Sequence, residues 1–330
     1  MQTASSNVPC PKSPLVSFVV TFYNLPVEWL KECLDSILNL SLSASERQVL
    51  VVDDGSDASP LAELASYMDS ITYIRQPNKG LSEARNTGIG LAAGKYVQFV
   101  DGDDKIISGE YEHCLDIVRY NDPDVVMFRS TSGAAARHSA KEAIAVGGPA
   151  FMAHNNIRAA AWGYIFRKEM LGGLRFTPGL LHEDEEFTPQ LLLRAVRLFD
   201  TDYEAYFYRI RQQSIITSKD RKHILRRLND FEYVLLRLNA MAATLSGVES
   251  EAMRRRVSQL TMDYIFNIAT LTSSGNQMRS RLERLRQAGL FPLPGRNYSR
   301  KYALFSKVAN NKVGLFVLRN ALAAFKSNKR

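Results

Sequence analysis

Three carboxylates stand within four residues, at Asp101, Asp103 and Asp104, directly after an apolar run. Carboxylates this close repel one another unless a cation neutralises them. Hard oxygen ligands suit Mg²⁺ or Mn²⁺, and Mg²⁺ commonly takes one or two carboxylates together with substrate phosphates. A solvated acidic turn would have the same composition, so the run alone leaves two interpretations open. Asp104 is expected only to cap the next element of the chain.

A second acidic loop comes after another apolar run, with carboxylates at Asp53, Asp54 and Asp57. Such a carboxylate can accept a hydrogen bond from a base imide or a ribose hydroxyl. Gly55 permits a tight turn, and Ser56 or Asp57 can cap the next helix, so capping alone is the alternative interpretation. Two acidic loops after two strands favour a functional site over a chance turn.

Cations and a third acidic group complete the candidate chemistry. Lys79 and Arg85 stand where they can reach an anionic diphosphate. The run His182–Glu186 begins a helix, where the helix dipole favours acidic residues, so a structural role explains much of it. A carboxylate in this run is also a candidate general base if the fold brings it to the first acidic cluster.

The elements that must position these groups alternate between strand and helix. This order, with short links, predicts a mostly parallel sheet covered on both faces. Ligands bind outside the carboxyl ends of such strands, so three polar loops should line one crevice. Strands are predicted at 15–21, 49–52, 71–75 and 96–100, helices at 26–37, 61–68 and 80–93, and the crevice loops at 21–24, 53–56 and 101–104.

The later part of the chain changes in charge and pattern. Residues 1–218 hold 20 basic and 27 acidic residues, a net −7, whereas residues 219–330 hold 22 and 7, a net +15. This break predicts a flexible N-terminus at 1–13, an α/β domain at 14–218 and a basic helical region at 219–330. Further predicted elements are strands at 125–129 and 206–211, a loop at 130–148, and helices at 187–195, from 221, at 249–273, at 277–288 and at 313–326.

Composition excludes several classes of protein. Hydrophobic residues make up 45% and charged residues 23%, as in soluble globular proteins. The three cysteines, Cys10, Cys33 and Cys114, lie far apart, which argues against a disulfide framework or a structural zinc site. The first residues lack the pattern of a signal peptide, and no uncharged apolar stretch reaches the length of a spanning helix. We therefore expect a cytoplasmic protein.

Five motifs occur in a fixed order, and together they are more specific than any one of them. The motifs are Val16–Asn24, Val51–Asp57, Asn78–Asn86, Gly94–Asp104 and His182–Asp184. The series resembles the inverting family 2 glycosyltransferases of the GT-A fold, over about residues 14–215. The resemblance implies a Rossmann-like, mostly parallel sheet flanked by helices, followed here by a C-terminal all-α region.

The resemblance implies transfer of a sugar, with inversion, from a nucleotide-diphosphate sugar to a hydroxyl of a glycan or lipid-linked acceptor. UDP is the commonest nucleotide in the family, and the cofactor would be Mn²⁺ or Mg²⁺. Asp103 would hold the metal, and Asp101 would lie near the ribose and could share the metal. Asp184 looks like the catalytic base, and Glu183 beside it is counted with the substrate-binding residues.

The remaining implied contacts surround the donor and the acceptor. Thr21 and Tyr23 would touch the nucleotide, with Asp53 or Asp54 near its base. Arg85, and Lys79 with it, would approach the base or the diphosphate. Trp162 matches a tryptophan that the family often places beside the acceptor pocket, although Gly163 and Tyr164 come next where members often carry a lysine. The late segment with Arg209 and Arg211 resembles one that closes over the diphosphate.

The basic region 219–330 matches no known motif. Amphipathic helices rich in Lys and Arg can lie on anionic membranes, which would make the protein peripheral at the inner face of the membrane. A solvated helical bundle or an arm that forms a homodimer is the alternative interpretation.

Two rival functions are also compatible with parts of the sequence. A sugar nucleotidyltransferase also uses a parallel sheet and metal-binding carboxylates, but it favours a glycine-rich basic loop after the first strand, and here that loop is Thr21–Pro26. A nucleotide-binding module with a nucleic-acid-binding tail would interleave exposed aromatics with the basic residues. The aromatics of the tail, Phe231, Tyr233, Tyr264 and Phe266, recur instead at the spacing of a helical core, so no nucleic acid is expected.

Overall fold

The computed structural model describes residues 13–133, 143–211, 220–272, 275–311 and 313–318, and it divides into two compact units. The first unit comprises the chain up to 145 with 161–179 and 197–210, and the second comprises 146–160, 180–196 and the chain from 211. The boundary expected near residue 218 therefore misses two earlier segments of the helical unit. The change in net charge along the sequence does not reveal these two segments, because net charge depends on composition and not on which segments pack together.

A sheet forms the centre of the first unit. The nine strands of the described chain are β1 Val16–Phe22, β2 Arg47–Asp53, β3 Thr72–Arg75, β4 Tyr96–Asp101, β5 Lys105–Ile106, β6 Val125–Thr131, β7 Ala145–Val146, β8 Tyr164–Arg167 and β9 Leu198–Phe207. Their order in the sheet is β3-β2-β1-β4-β8-β6-β9-β5, and β7 pairs with β9 outside this path. The helices of this unit are α1 Val27–Leu38, α2 Leu81–Leu91 and α3 Ser108–Asn121.

The strands that end in polar loops are parallel neighbours. β2 and β4 flank β1, and β3 pairs in parallel with β2. Beyond β4 the sheet is mixed, since β8 runs antiparallel to both β4 and β6. The predicted α/β sheet is thus confirmed, and its parallel part is the half that carries the acidic loops.

Buried strands and close helix packing fix this half of the sheet. All seven residues of β1 are buried, as the uninterrupted apolar run predicts for a strand covered on both faces. Helix α2 approaches β1 closely at Gly88, where an added Cβ would lie 2.1 Å from a side-chain carbon of Val19. A glycine is therefore needed to bring α2, which carries Arg85, against the sheet.

Helices α4 Gly148–His154, α5 Glu183–Leu192, α6 Arg221–Thr244, α7 Gly247–Leu271, α8 Gly275–Gln287 and α9 Arg300–Ala309 form the second unit, and residues 313–318 are also helical. Their core includes Leu228, Leu235, Leu260 and Ile265. In the described stretches of the chain, no helix is both long enough and apolar enough to cross a bilayer.

The aromatics of the basic region divide into two pairs. Phe231 and Tyr264 are buried in the core of the second unit, as their helical spacing predicts. Tyr233 and Phe266 are 49% and 43% exposed, so the expectation that all four lie in a core is wrong for these two.

Three predicted elements differ from those observed. The loop expected at 130–148 includes the end of β6, all of β7 and the first residue of α4. Residues 61–68 form turns and a 3-10 helix at Ala65–Tyr67, because only Leu64 of this stretch is buried and one apolar anchor does not sustain an α-helix. The strand expected at 206–211 lies earlier, as β9, because acidic residues such as Asp200 interrupt the alternation of apolar residues. The sequence patterns also missed α3, β8 and α9, and residues 319–326 of the last predicted helix lie outside the described residues.

Candidate functional site

Strand register brings the polar loops of the first unit to one edge of the sheet. Thr21 pairs with Asp101 of β4, and the next residue of β1, Phe22, pairs with Asp53 of β2. The carboxyl ends of three adjacent parallel strands therefore meet, as the alternation of strands and helices predicted. Any ligand at this edge contacts residues from separate parts of the sequence.

The acidic loop after β4 is held close to β1. The Gly102 nitrogen donates to the Thr21 carbonyl oxygen over 2.9 Å, and an added Cβ at Gly102 would lie 2.7 Å from that same oxygen. The Asp101 backbone nitrogen donates to the Tyr206 hydroxyl over 3.1 Å. The loop is thus fixed on both sides by the sheet.

Arg85 is buried and pairs with Asp101. Its Nη2 donates to Asp101 Oδ1 over 3.0 Å, while Thr21 Oγ1 lies 3.5 Å from the same oxygen. The guanidinium carbon lies 5.9 Å from the ring centre of Phe99 and 5.4 Å from that of Phe176. Only 4% of the Arg85 side chain is exposed, so in this structure the guanidinium orients the Asp101 carboxylate from its buried side. Direct contact of Arg85 with a ligand stays a prediction.

Asp103 and Asp104 are buried, whereas the Asp101 side chain is partly exposed, and Arg209 contacts both buried residues. The Arg209 backbone nitrogen donates to Asp104 Oδ1 over 2.8 Å, and Arg209 Nε donates to the Asp103 carbonyl oxygen over 2.7 Å. Burial, followed by repulsion from Asp101, raises the pKa of Asp104 to about 8. The expectation that Asp104 merely caps the next element is wrong, because its carboxyl group binds a backbone amide of a distant segment.

The carboxylates of this loop are the kind of oxygen ligand that a hard divalent cation prefers. Asp101 and Asp103 offer oxygen ligands, and repulsion from Asp101 adds to burial in raising the pKa of Asp104. Within the described ranges, no three His, Cys, Asp or Glu side chains are grouped so as to hold a metal ion. The assignment of Asp103 and Asp101 to a metal stays a prediction.

The loop after β2 is organised by its own carboxylates. Asp53 accepts hydrogen bonds from the Ser56 backbone nitrogen over 2.8 Å and from the Tyr73 hydroxyl over 2.7 Å. Asp54 accepts from the backbone nitrogens of Lys79 and Gly80, over 2.9 and 2.7 Å. Asp54 therefore fixes the loop that precedes α2, while the Lys79 side chain is exposed. Gly55 has φ +75°, as the predicted tight turn requires.

Aromatic side chains line the same edge. Tyr23 is 47% exposed directly after β1. Trp162 is buried and stacks on Tyr206, with ring centres 4.4 Å apart and an interplanar angle of 5°, and on Tyr208 at 5.8 Å. Since Tyr206 also binds the Asp101 backbone, Trp162 is linked to the acidic loop through one residue.

Arg209 makes contacts that sequence patterns did not reveal. Its Nη2 lies 2.7 Å from Glu32 of α1, and its guanidinium carbon lies 5.0 Å from the centre of the Trp29 ring. Glu32 gave no signal because it occupies an ordinary polar position of an amphipathic helix. Tyr206 was visible only as one residue of an alternating segment, and its hydroxyl contact depends on the fold.

The candidate base lies in the second unit. His182, with φ +67°, precedes α5, and Asp184 is half-buried in its first turn, where Asp184 Oδ1 accepts from the Glu185 backbone nitrogen over 2.8 Å. Glu183 is half-buried beside it, and Arg211 ends the described range 143–211. Joint action of Asp184 and the acidic loop after β4 stays a prediction.

Comparison with known proteins supports the fold and the family. Residues 17–165 match the family described as Glycosyl transferase family 2. The uncharacterized glycosyltransferase EpsJ of Bacillus subtilis strain 168 is 40% identical over 116 residues, which are 34% of this chain and 33% of that protein. The chain spans between 31% and 62% of the length of three curated relatives that it matches.

Solved structures share the architecture at low identity. S. aureus TarS in complex with UDP-GlcNAc has a TM-score of 0.68 at 19% identity and covers 93% of this chain and 92% of its own. The mannosyltransferase PcManGT from Pyrobaculum calidifontis, in complex with GDP-Man and Mn²⁺, has a TM-score of 0.56 at 15% identity and covers 98% and 90%. Residues 17–165 therefore match a family 2 glycosyl transferase domain, and the chain shares the fold of these solved structures.

Proposed function

We propose that this protein transfers a sugar from a nucleotide-diphosphate sugar to a hydroxyl group of a glycan or lipid-linked acceptor, with inversion at the anomeric carbon. The observation that carries the proposal is the strand register, which pairs Thr21 with Asp101 and the next residue, Phe22, with Asp53 at the carboxyl edge of a domain that matches family 2. Complexes of structural neighbours with UDP-GlcNAc and GDP-Man support a nucleotide sugar as the donor. We propose a UDP-sugar as the first donor to test.

The donor would lie along the edge formed by the three loops. Tyr23 offers an exposed ring to the nucleotide base, and Asp53 or Asp54 would accept from it. Asp101, oriented by Arg85, would accept from the ribose. Lys79 and Arg211 would bind the diphosphate, and Arg209 would join them if it exchanged its contact with Glu32 for the phosphates.

We propose that Asp103, and Asp101 with it, would hold a divalent ion together with oxygens of the diphosphate. The Mn²⁺ complex of PcManGT supports this cofactor. When bound, the ion would supply charge neutralisation of the diphosphate leaving group.

In the proposed reaction, the acceptor hydroxyl oxygen forms a bond to the anomeric carbon from the face opposite the diphosphate. The bond between that carbon and the diphosphate oxygen breaks, and the nucleoside diphosphate leaves. The proton of the hydroxyl passes to the Asp184 carboxylate, which acts as general base. Glu183 would contact the acceptor, and Trp162 would lie beside it.

Calorimetric titration of UDP tests the donor and metal sites together. We expect the wild-type protein to bind UDP more tightly with Mn²⁺ than without it, because the ion offsets the repulsion between phosphates and carboxylates. The Asp103→Ala variant should lose this difference. Asp184→Asn is the matched control, since it also removes a carboxylate and should keep the wild-type response to Mn²⁺. Equal affinity of the wild-type protein with and without Mn²⁺ would overturn the metal assignment.

The basic helices of the second unit suggest where the protein acts. We propose that they contact an anionic membrane surface, which would bring the domain to a lipid-linked acceptor. Arg300, Lys301 and Lys307 of α9 are exposed, and Leu304 between them is 68% exposed. This combination of cations and an exposed apolar side chain is typical of interfacial helices.

A further inference from the structure

The first turn of α5 is tied to the long helices of the second unit. Arg256 of α7 forms an ion pair with Glu185, and Arg237 of α6 lies 2.6 Å from Glu186. Asp230 of α6 accepts a hydrogen bond from the Leu181 backbone nitrogen over 3.1 Å, just before the turn. The basic region therefore does more than carry surface charge, because it fixes the segment that holds the proposed base.

Arg256 is the most deeply buried of these cations. Only 4% of its side chain is exposed, and its Nη1 donates to the Ile157 carbonyl oxygen over 2.9 Å. Burial lowers the pKa of its guanidinium to about 10, and the charges of Asp263 and Asp184 oppose that shift. Arg256 is therefore cationic at neutral pH and interacts electrostatically with Asp184.

The charge balance around this turn explains why a buried cation is useful. Four acidic residues stand in succession at 183–186, so the first turn of α5 concentrates negative charge that a nearby cation offsets. A buried cation is screened less than a surface one and acts on the whole turn. The charged or titratable groups near the turn are His182, Glu183, Glu185 and Glu186 at the start of α5, Arg256 and Asp263 of α7, and Arg227, Asp230 and Arg237 of α6.

We infer that Arg256 is a positioning residue for the general base: its guanidinium clamps the first turn of α5 through Glu185 and keeps the Asp184 carboxylate ionised. The inference rests on the proposed function, because only that reaction gives Asp184 a proton to accept. A general base must be charged and oriented before the acceptor arrives. Arg256 acts through α5, so its loss should affect the pH dependence of turnover and leave donor binding in place.

The neighbouring residue offers a matched control. Arg255 is also a buried arginine of α7, but it donates to the Ala153 carbonyl oxygen, Asn156 and the Tyr298 carbonyl oxygen, over 3.2, 3.0 and 2.9 Å. Arg255→Gln therefore removes a similarly buried guanidinium that binds Tyr298 and the 153–157 segment, which Arg256 also contacts, so it controls for the loss of those packing contacts. Any effect common to Arg255→Gln and Arg256→Gln is structural.

The experiment is the pH profile of nucleoside diphosphate release from UDP-GlcNAc, or from whichever nucleotide sugar the wild-type protein turns over, with Mn²⁺. For Arg256→Gln we expect the acidic limb of kcat to move up by about one pH unit, while the donor KM stays within about twofold. Arg256→Lys, which keeps the charge, should restore the position of the limb. An unmoved limb in Arg256→Gln, or the same movement in Arg255→Gln, would overturn the inference.

A readout independent of turnover separates this inference from the proposed function. The Asp184 carboxyl can be titrated by ¹³C NMR in aspartate-labelled protein, with its signal assigned from Asp184→Asn. A raised pKa of Asp184 in Arg256→Gln supports the clamp, whether or not a nucleotide sugar is turned over. Absence of turnover in the wild-type protein contradicts only the proposed function. If the wild-type protein is active and the pKa of Asp184 is unchanged in Arg256→Gln, the clamp is contradicted and the proposed function is not.

A second variant covers the case in which Arg256→Gln does not fold. Glu185→Gln removes the ion pair but keeps the Arg256 charge near Asp184. We expect kcat to fall, because the turn loses its tie, with no upward movement of the acidic limb. A wild-type kcat in Glu185→Gln would contradict the clamp.

Discussion

Asp101 is fixed before any ligand arrives. Arg85 binds its carboxylate from the buried side, Thr21 lies at the same oxygen, and the Tyr206 hydroxyl accepts from its backbone nitrogen. A carboxylate held in this way loses little conformational entropy when a ligand binds, which favours affinity. Residue types at the acidic loop could be read from the sequence. The aromatic pair around Arg85 could not, because Phe176 lies about 90 residues further along the chain.

His182 links the first turn of α5 to the pH dependence of stability. Burial, followed by the charge of Arg227, lowers the pKa of His182 to about 4. Its usual pKa in an unfolded chain is about 6.5. Above that pH both states hold the ring neutral. As the pH falls through about 6.5, the unfolded chain takes up a proton that the folded protein does not, so the free energy of unfolding falls until the pH reaches about 4.

We expect this group to remove about 1.4 kcal/mol of stability between pH 7.5 and 5.5. Urea unfolding at the two pH values measures the loss, and His182→Asn is the comparison because asparagine tolerates the positive φ at this position. The variant loses the ring contact with Phe231 at both pH values, so only the difference between the two pH values is informative. An equal pH dependence in both proteins would show that His182 is not the group responsible.

Elements with continuous apolar runs were predictable, and those with charged faces were not. β1, β2 and β4 are buried on both faces, so their composition alone indicates strands. β9 carries acidic side chains on one face, and Arg129 binds Asp200 there through two nitrogens, at 2.8 and 2.9 Å. Such a strand is stabilised by pairing with β6, and the local order of apolar and polar residues does not predict that pairing.

Helix α9 carries the prediction for membrane contact. We expect the full chain to co-sediment with vesicles that contain phosphatidylglycerol at low salt, to be released at high salt, and to ignore neutral phosphatidylcholine vesicles. Each Lys or Arg near an anionic surface contributes about 1 kcal/mol, so Lys307→Glu should weaken binding by about fivefold or more.

A matched charge reversal on the first unit controls for net charge. Lys95 is exposed and pairs with Asp122 over 2.6 Å, so Lys95→Glu changes the total charge equally at a site remote in the sequence. It should leave sedimentation unchanged. Absence of binding at low salt, or equal weakening by both variants, would remove the membrane proposal and favour the bundle or dimer interpretation.

At the scale of the molecule, the division into two units was the hardest feature to predict. The charge change near residue 218 located the long helices but not the segments 146–160 and 180–196, which belong to the same unit. Packing explains the second segment, since Arg256 and Arg237 bind Glu185 and Glu186 across long sequence separations. The proposed base therefore belongs to the helical unit, and the proposed donor residues other than Arg211 belong to the unit of the sheet.

Sugar transfer as proposed requires these two sites to serve one reaction. The motifs in their order predicted the fold, the family and the edge of the sheet at which the loops meet. They could not predict which partners hold each carboxylate, since Asp54 binds backbone amides of Lys79 and Gly80 and Arg209 binds both Asp103 and Asp104. Those contacts form only once distant segments are folded together.

Release of nucleoside diphosphate from a panel of UDP- and GDP-sugars, with and without Mn²⁺, tests the central claim most directly. We predict that the wild-type protein turns over at least one of these donors only with Mn²⁺, and that Asp184→Asn lowers the rate by about 100-fold or more while UDP affinity stays within about twofold. Failure of the wild-type protein to release nucleoside diphosphate from any donor with Mn²⁺, or a wild-type rate in Asp184→Asn, would contradict the account.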